Sequence, residues 1–157
     1  MNRISKSEYR ELLRRGPYGS GQSAVELAVA IPVLLLLLLA GADFSRIFYM
    51  NIGVDNAARA GAQYGSQTVI TAADPNGMIA AAKADGANLA GLSATASQCT
   101  CKSPSPVAAC PASYCTNAPQ ATFVEVNTQA LFTTLVNYPG IPSSTTLSAK
   151  SIMQVSQ

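Results

Sequence analysis

The chain has 157 residues, a formal net charge of +2 at pH 7, four cysteines and no histidine. The positive charge is confined to the tail, because residues 1–21 carry five basic and two acidic side chains and the remainder carries five basic and six acidic ones. No basic patch outside the tail is left to bind nucleic acid. The lack of histidine excludes Ser–His or Cys–His catalysis and imidazole metal ligands. We therefore expect that the protein is not an enzyme and that it binds no cofactor, metal or small-molecule substrate.

Residues 1–21 predict a basic leader. An apolar run follows this leader directly, and the positive-inside rule then places the leader in the cytoplasm and everything after residue 43 outside it. The predicted location is the inner (cytoplasmic) membrane, crossed once, with the C-terminal domain exported.

The apolar run predicts a transmembrane helix over residues 22–43. The stretch from Leu27 to Ala42 contains no charge. It would make roughly 24 Å of helix, so the residues before it are needed to cross a hydrocarbon core of roughly 30 Å. Those preceding residues include Glu26, and the run itself contains Pro32. An ordinary anchor needs neither residue.

Three interpretations fit this region. A secretory signal would be cut near Ala42, and a plain signal anchor would not be cut. A prepilin-type signal would be cut after Gly21, so that Gln22 becomes the first residue and Glu26 the fifth. We favour the third, because the cut creates an amine at Gln22 and Glu26 of one subunit can pair with the amine of a neighbour.

The stretch "GQSAVELAVAIPVLLLLLLAGADFSRIFYMNIGVDNAARAGAQYGS", from residue 21 to residue 66, resembles the TadE-type pseudopilins of tight-adherence (Flp) pilus systems. Their sequences contain "AxVE(F/L)A", a proline-containing leucine run, "(D/E)FxR" and "NAAR(A/E)GA". The corresponding residues here are Ala24 to Ala28, Pro32 with Leu34 to Leu39, Asp43 to Arg46, and Asn56 to Ala62. Leu27 stands where the family often has Phe.

The resemblance implies a minor, non-enzymatic subunit of pilus assembly. Its implied partners are a prepilin peptidase, other pilin or pseudopilin subunits, the inner-membrane assembly platform and the lipid bilayer. Gly21 and Gln22 would be the processing residues, and Glu26 and Pro32 would serve assembly. The alternative is an exported adhesion or binding module that residues 24–42 merely tether, or that is secreted after a cut near Ala42.

Helical periodicity continues past the membrane as an extension over residues 44–66, where Gly65 and Ser66 end the helix. Asp55 and Arg59 lie at the favourable i, i+4 spacing. The small residues between Ala57 and Ala62 allow close approach of another backbone. That backbone is the protein's own sheet or a helix of another subunit, and the two contacts are compatible along different faces of the helix.

Residues 67–157 predict a small exported domain, which makes the fold α+β and pilin-like. "DPNG" at 74–77 is typical of a turn, a second helix follows at about 78–89, and Gly91 is a candidate helix end. Alternating side chains predict strands at about 121–130 and 146–155, and "ATAS" at 94–97 would complete a short antiparallel sheet. We expect the exported carboxylates to be solvated or paired along helices.

The cysteine-rich loop at 98–115 contains all the cysteines of the chain, at positions 99, 101, 110 and 115. Disulfides are expected because the exported segment lies in an oxidising compartment. Four cysteines could also bind zinc, but these spacings fit a zinc site poorly. Two pairings are open: a nested one, which joins Cys99 to Cys115 and Cys101 to Cys110, and a crossed one, which joins Cys99 to Cys110 and Cys101 to Cys115. We favour the nested pairing.

Overall fold

The computed structural model describes residues 20–102, 107–116, 118 and 120–156. Most of the predicted leader, residues 1–19, lies outside the described residues. The chain divides into two compact units at the bond between Ala42 and Asp43.

Helix α1, Ser20–Ser66, is 47 residues long and ends at the predicted position. From residue 21 to residue 42 every side chain is exposed. Within the part of the chain that the structure describes, α1 is the single helix long and apolar enough to cross a membrane. These observations confirm a long N-terminal apolar helix of membrane-spanning capacity.

The second unit, which begins at Asp43, is a three-stranded antiparallel sheet covered by helices on one face. Its sheet has the order β1–β2–β3, so the middle strand pairs with both neighbours. The elements after α1 are α2 Val69–Ala72, α3 Pro75–Asp85, β1 Ser93–Thr100, α4 Ala112–Cys115, β2 Thr122–Thr133 and β3 Ser144–Gln154. This architecture confirms the α+β prediction.

Strand β2 carries the core on alternate residues. Its buried side chains are Val124, Val126, Thr128, Ala130 and Phe132. The first two pack with Ala62 of α1 and with Met78 and Ala82 of α3. The Thr128 hydroxyl donates a 2.8 Å hydrogen bond to the Val54 carbonyl of α1, which satisfies a polar group at the helix–sheet contact. The predicted alternation of this strand is confirmed.

Helix α3 begins and ends earlier than the predicted 78–89. "DPNG" is the first turn of this helix rather than a free turn, because Asp74 is the N-cap and accepts from the Gly77 amide at 2.9 Å. Pro75 fits the first helical position, where no amide hydrogen is needed. The helix ends at Gly86, and Gly91 lies in the following turn with a φ of 72°, so Gly91 is not the helix end.

The disulfides are crossed, joining Cys99 to Cys110 and Cys101 to Cys115, so the favoured nested pairing is wrong. A parallel bridge between Thr100 and Ala109 holds residues 108–110 against the end of β1, where the Cα atoms of Cys99 and Cys110 lie 4.9 Å apart. The sulfurs of Cys101, Cys110 and Cys115 lie within 4.8 Å of one another. In this oxidised state each sulfur is bonded to another sulfur and is not a thiolate ligand.

Replacing the cysteines in pairs tests this connectivity. In the chain-entropy model each bond is worth roughly 3 kcal/mol, so Cys101→Ser with Cys115→Ser should lower the free energy of unfolding by no more than about that amount. The double change Cys99→Ser with Cys115→Ser breaks both bonds and should cost more. Urea unfolding followed by circular dichroism measures both variants. If the second variant were the more stable one, the nested pairing would be right.

Candidate assembly site

The predicted processing residues and the assembly residue Glu26 lie together at the start of α1. Gly21 is the second residue of the helix, and Gln22 and Glu26 follow within its first two turns. The Gln22 side-chain amide donates to a Glu26 carboxylate oxygen at 3.2 Å. Residues four apart are about 6 Å apart along a helix axis, and a side chain leans toward the helix N-terminus. The Glu26 side chain therefore extends along the helix toward residue 22, whose side-chain amide it contacts.

Pro32 lies inside α1, in the middle of the exposed apolar residues. Proline has no amide hydrogen, so the carbonyl of Ala28 lacks its usual intrahelical donor. A helix with one such missing bond bends or repacks at lower cost than an uninterrupted one. The structure keeps the helix continuous through this position.

Asp43, the first residue of the second unit, is buried rather than solvated, and it pairs along the helix with Arg46, as the expectation of solvated or helix-paired carboxylates allows. Its two carboxylate oxygens accept from the Leu135 amide at 3.0 and 3.1 Å. The Tyr138 hydroxyl donates to the same carboxylate at 3.3 Å. Asp43 thus holds the connection between β2 and β3 against the helix. The pKa of Tyr138 is raised by two effects: mainly by the removal of its hydroxyl from water, and also by the negative charge of Asp43.

Arg46 completes this junction from the next turn of α1. Its guanidinium lies 3.0 Å from Asp43 and donates to the Thr133 carbonyl at 3.4 Å. It also lies 5.4 Å from the centre of the Phe132 ring, within the range of a cation–π contact. The "DFxR" motif is therefore a structural clamp that joins the helix to the end of the β2–β3 hairpin.

The "NAARAGA" motif packs against the protein's own domain. Ala57, Ala58 and Ala62 are fully buried. A side chain at Gly61 would come within 2.8 Å of the Met78 carbonyl and 3.0 Å of Val126. Of the two interpretations, contact with its own sheet is confirmed. Outside this buried face, the predicted pair of Asp55 and Arg59 forms a 2.8 Å ion pair.

Glu125, on the outer face of the sheet, is the centre of a polar cluster that the strand pattern does not predict. The Lys150 ammonium lies 2.8 Å from its carboxylate, Asn127 donates at 3.0 Å, and the Tyr114 hydroxyl donates at 3.1 Å. Partial burial raises the pKa of Glu125, but these three donors together hold it below its ordinary value. The cluster joins α4, next to Cys115, to the sheet.

This cluster predicts a loss of stability in acid. Because the folded protein binds the Glu125 proton more weakly than the unfolded chain does, its contribution is present above the ordinary pKa of 4.5 and is lost as the pH falls through the lower folded value. The loss should stay under about 1 kcal/mol, since Lys150 keeps 47% of its side chain exposed and water weakens the ion pair. Urea midpoints measured across this pH range should fall for the native protein and fall less for Glu125→Gln. Identical slopes would contradict the assignment.

The first 43 residues of α1 after Ser20 carry the similarity to known proteins. The family model described as TadE-like protein matches residues 21–63, and this confirms the resemblance found in the motifs. The match begins at Gly21 and ends inside α1, so it covers the exposed apolar run, the clamp and the buried small residues. No curated protein and no solved structure matches the chain significantly. A TadE-like segment with an N-terminal hydrophobic helix indicates a protein associated with a Tad pilus and its components.

Proposed function

We propose that the protein is a minor pseudopilin that takes part in the assembly of a tight-adherence (Flp-type) pilus. The observation that carries this proposal is the position of Glu26: a carboxylate on an exposed, otherwise apolar part of α1, at the fifth position after Gly21, inside the TadE-like match. The buried elements of the second unit do not account for this acid, whereas pairing with an N-terminal amine does.

Processing is the first step of the proposed mechanism. A prepilin peptidase on the cytoplasmic side removes the basic leader by cutting the bond between Gly21 and Gln22. The apolar run stays on the product and keeps the subunit in the inner membrane, with the disulfide-bonded domain exported. Cutting replaces an uncharged peptide nitrogen with an amine that is cationic at neutral pH.

Assembly is the second step. An isolated carboxylate inside a bilayer costs up to roughly 2.5–3.5 kcal/mol. When the subunit moves into a filament or its initiating complex, Glu26 pairs with the new amine of a neighbouring subunit and this cost is offset. Burial keeps the net gain in affinity small, so the pair mainly sets the register between subunits. Pro32 lowers the cost of repacking the helix as it leaves the membrane.

The position of the proposed cut can be measured directly. N-terminal sequencing of the mature protein, purified from membranes of the producing cells, should give Gln22 as the first residue. The matched control is Gly21→Leu, whose larger side chain beside the scissile bond should leave the leader in place. A mature chain that begins at Asp43 would show secretory processing instead, and one that begins at Met1 or Asn2 would show a plain anchor. Either result contradicts the proposal.

A further inference from the structure

The connection between β2 and β3, residues 134–143, has three exposed apolar side chains and is here named the hairpin tip. Leu135 is 56% exposed, Val136 41% and Ile141 59%. No residue from 134 to 143 is charged. A short uncharged loop that exposes several large aliphatic side chains is unusual on a surface that faces only water, and such patches mark contact sites.

The hairpin tip lies next to the residue at which the apolar run ends. The Leu135 amide is bound by both carboxylate oxygens of Asp43, and the Tyr138 hydroxyl is bound by one of them. Ile141 is tied to this group through its amide, which donates to the Tyr138 carbonyl at 3.2 Å. Asp43 is covalently joined to Ala42, the last residue of the uncharged run. By this connectivity alone, the hairpin tip is close to the point where the chain leaves the hydrocarbon core.

The charge of the junction suits a lipid surface. The Asp43 carboxylate, the nearest acid, is buried and paired with Arg46, so it presents little negative charge to a phosphate. Arg46 keeps 44% of its side chain exposed and can face lipid phosphates. Phe44, 66% exposed beside Asp43, and Tyr138 in the hairpin tip are aromatic residues of the kind enriched at the membrane–water boundary.

We propose that the hairpin tip is a second membrane contact, in which Val136 and Ile141 insert into the interface of the leaflet that the exported domain faces. The contact rests on insertion of the apolar run in a bilayer, which the proposed function also requires, but it depends on neither processing nor pilus assembly. Burying these side chains is favourable because it removes apolar surface from water. The clamp formed by Asp43 and Arg46 then serves to hold the hairpin tip at the membrane surface.

The lack of tryptophan in the chain makes this proposal testable by fluorescence. Val136→Trp and Ile141→Trp each introduce a single reporter into the full chain, which is reconstituted in phosphatidylcholine–phosphatidylglycerol vesicles whose acyl chains carry bromine near the headgroups. Ile70→Trp, at a position that is 84% exposed on α2, is the matched control in the exported domain. Leu37→Trp reports on the apolar run itself. Retained disulfides and circular dichroism confirm that each variant is folded.

We expect tryptophan at positions 136 and 141 to emit at shorter wavelength and to be quenched, because insertion of about 5–10 Å brings the side chain to the brominated carbons. Tryptophan at position 70 should keep its emission. Quenching at position 37 with none at 136 or 141 would overturn the hairpin-tip contact and leave the membrane helix intact. A short-wavelength emission at 136 that bromine does not quench would mean that a protein surface, such as a second copy, covers the loop, which also overturns it. An absence of quenching at position 37 would overturn both membrane insertion of the apolar run and this proposal. Mature chains that begin at a residue other than Gln22 would contradict only the proposed processing.

Discussion

Asp43→Ala should lower the free energy of unfolding of the second unit by about 2–4 kcal/mol, because it leaves partly buried donors without an acceptor. The Asp43 side chain is only 8% exposed, and it accepts from the Leu135 amide, the Tyr138 hydroxyl and the Arg46 guanidinium. An alanine at this position satisfies none of these groups. The Leu135 amide, the Tyr138 hydroxyl and the Arg46 guanidinium must then be hydrated instead, and the admission of water disrupts the packing around them.

Two measurements check this prediction in the full chain kept in detergent. Urea unfolding followed by near-ultraviolet circular dichroism gives the change in free energy, provided that the dependence on denaturant is unchanged. Spectroscopic titration of tyrosine should also show that the pKa of Tyr138 falls back toward its ordinary value, though not fully, since removal of Tyr138 from water also raises it. The second measurement separates loss of this contact from a general loosening of the fold.

Asp55→Ala is the matched control, since it also removes a carboxylate from α1. Asp55 has 40% of its side chain exposed, and its ion pair with Arg59 is of the helical i, i+4 kind. Such pairs contribute about 0.3–0.5 kcal/mol. Asp43→Asn, which keeps the shape and one acceptor oxygen, should fall between the two. Equal small losses for Asp43→Ala and Asp55→Ala would contradict the clamp.

Local sequence patterns predicted the elements whose contacts repeat along the chain. The apolar run and the small residues up to Ala62 predict α1, because a helix places its neighbours three and four residues apart. The alternation around Val124 and Val126 predicts β2 and its buried face, because a strand has a period of two. The helix end at Ser66 follows from Gly65 and the loss of periodicity.

The same patterns missed the contacts made between distant residues. The partners of Asp43 lie 92 and 95 positions further along the chain, and nothing near "GADF" indicates that this carboxylate is buried. The crossed disulfides lie in a segment that has no periodicity, so no local pattern in the sequence indicates which cysteines pair. The predicted start of α3 differs from the observed one for another reason. An Asp-Pro pair is typical both of a turn and of a helix N-terminus, and the pair alone does not distinguish the two.

The clamp also divides the TadE-like segment into parts of different physical character. The second half of the match, from Asp43 onward, includes residues that are buried in the second unit or pack on its sheet and helices, such as Ala58 and Gly61. Those residues are accounted for by stability. Glu26 and Pro32 make no such contribution, since they lie among exposed side chains. A role in assembly is therefore best sought in the first half of the match.

Glu26→Ala should abolish assembly of the protein into pili or their initiating complex while leaving processing and stability unchanged. In the proposed mechanism the Glu26 carboxylate pairs with the amine of a neighbouring subunit. Without the carboxylate, that amine would enter the low-dielectric interior of the assembly with its charge uncompensated, which costs several kcal/mol. A loss of 3 kcal/mol per subunit contact, about the lower end of that cost, corresponds to a change of more than about a hundredfold in the equilibrium constant. Glu26→Gln keeps the size and polarity of the side chain and should fail as well, since it cannot supply the charge.

Immunoblots of membranes show from the size of the chain whether the leader has been removed. Electron microscopy, together with immunoblots of the sheared surface fraction, shows whether the protein has assembled into pili. Asp55→Ala, which removes an acid from the extended part of α1, should assemble as the native protein does. Assembly of Glu26→Gln but not of Glu26→Ala would assign the role to a hydrogen bond rather than to charge, as the contact between Gln22 and Glu26 in the uncut chain allows. Native amounts of pili with Glu26→Ala would remove Glu26 from the mechanism, because no compensating acid lies elsewhere in the apolar run to take its place.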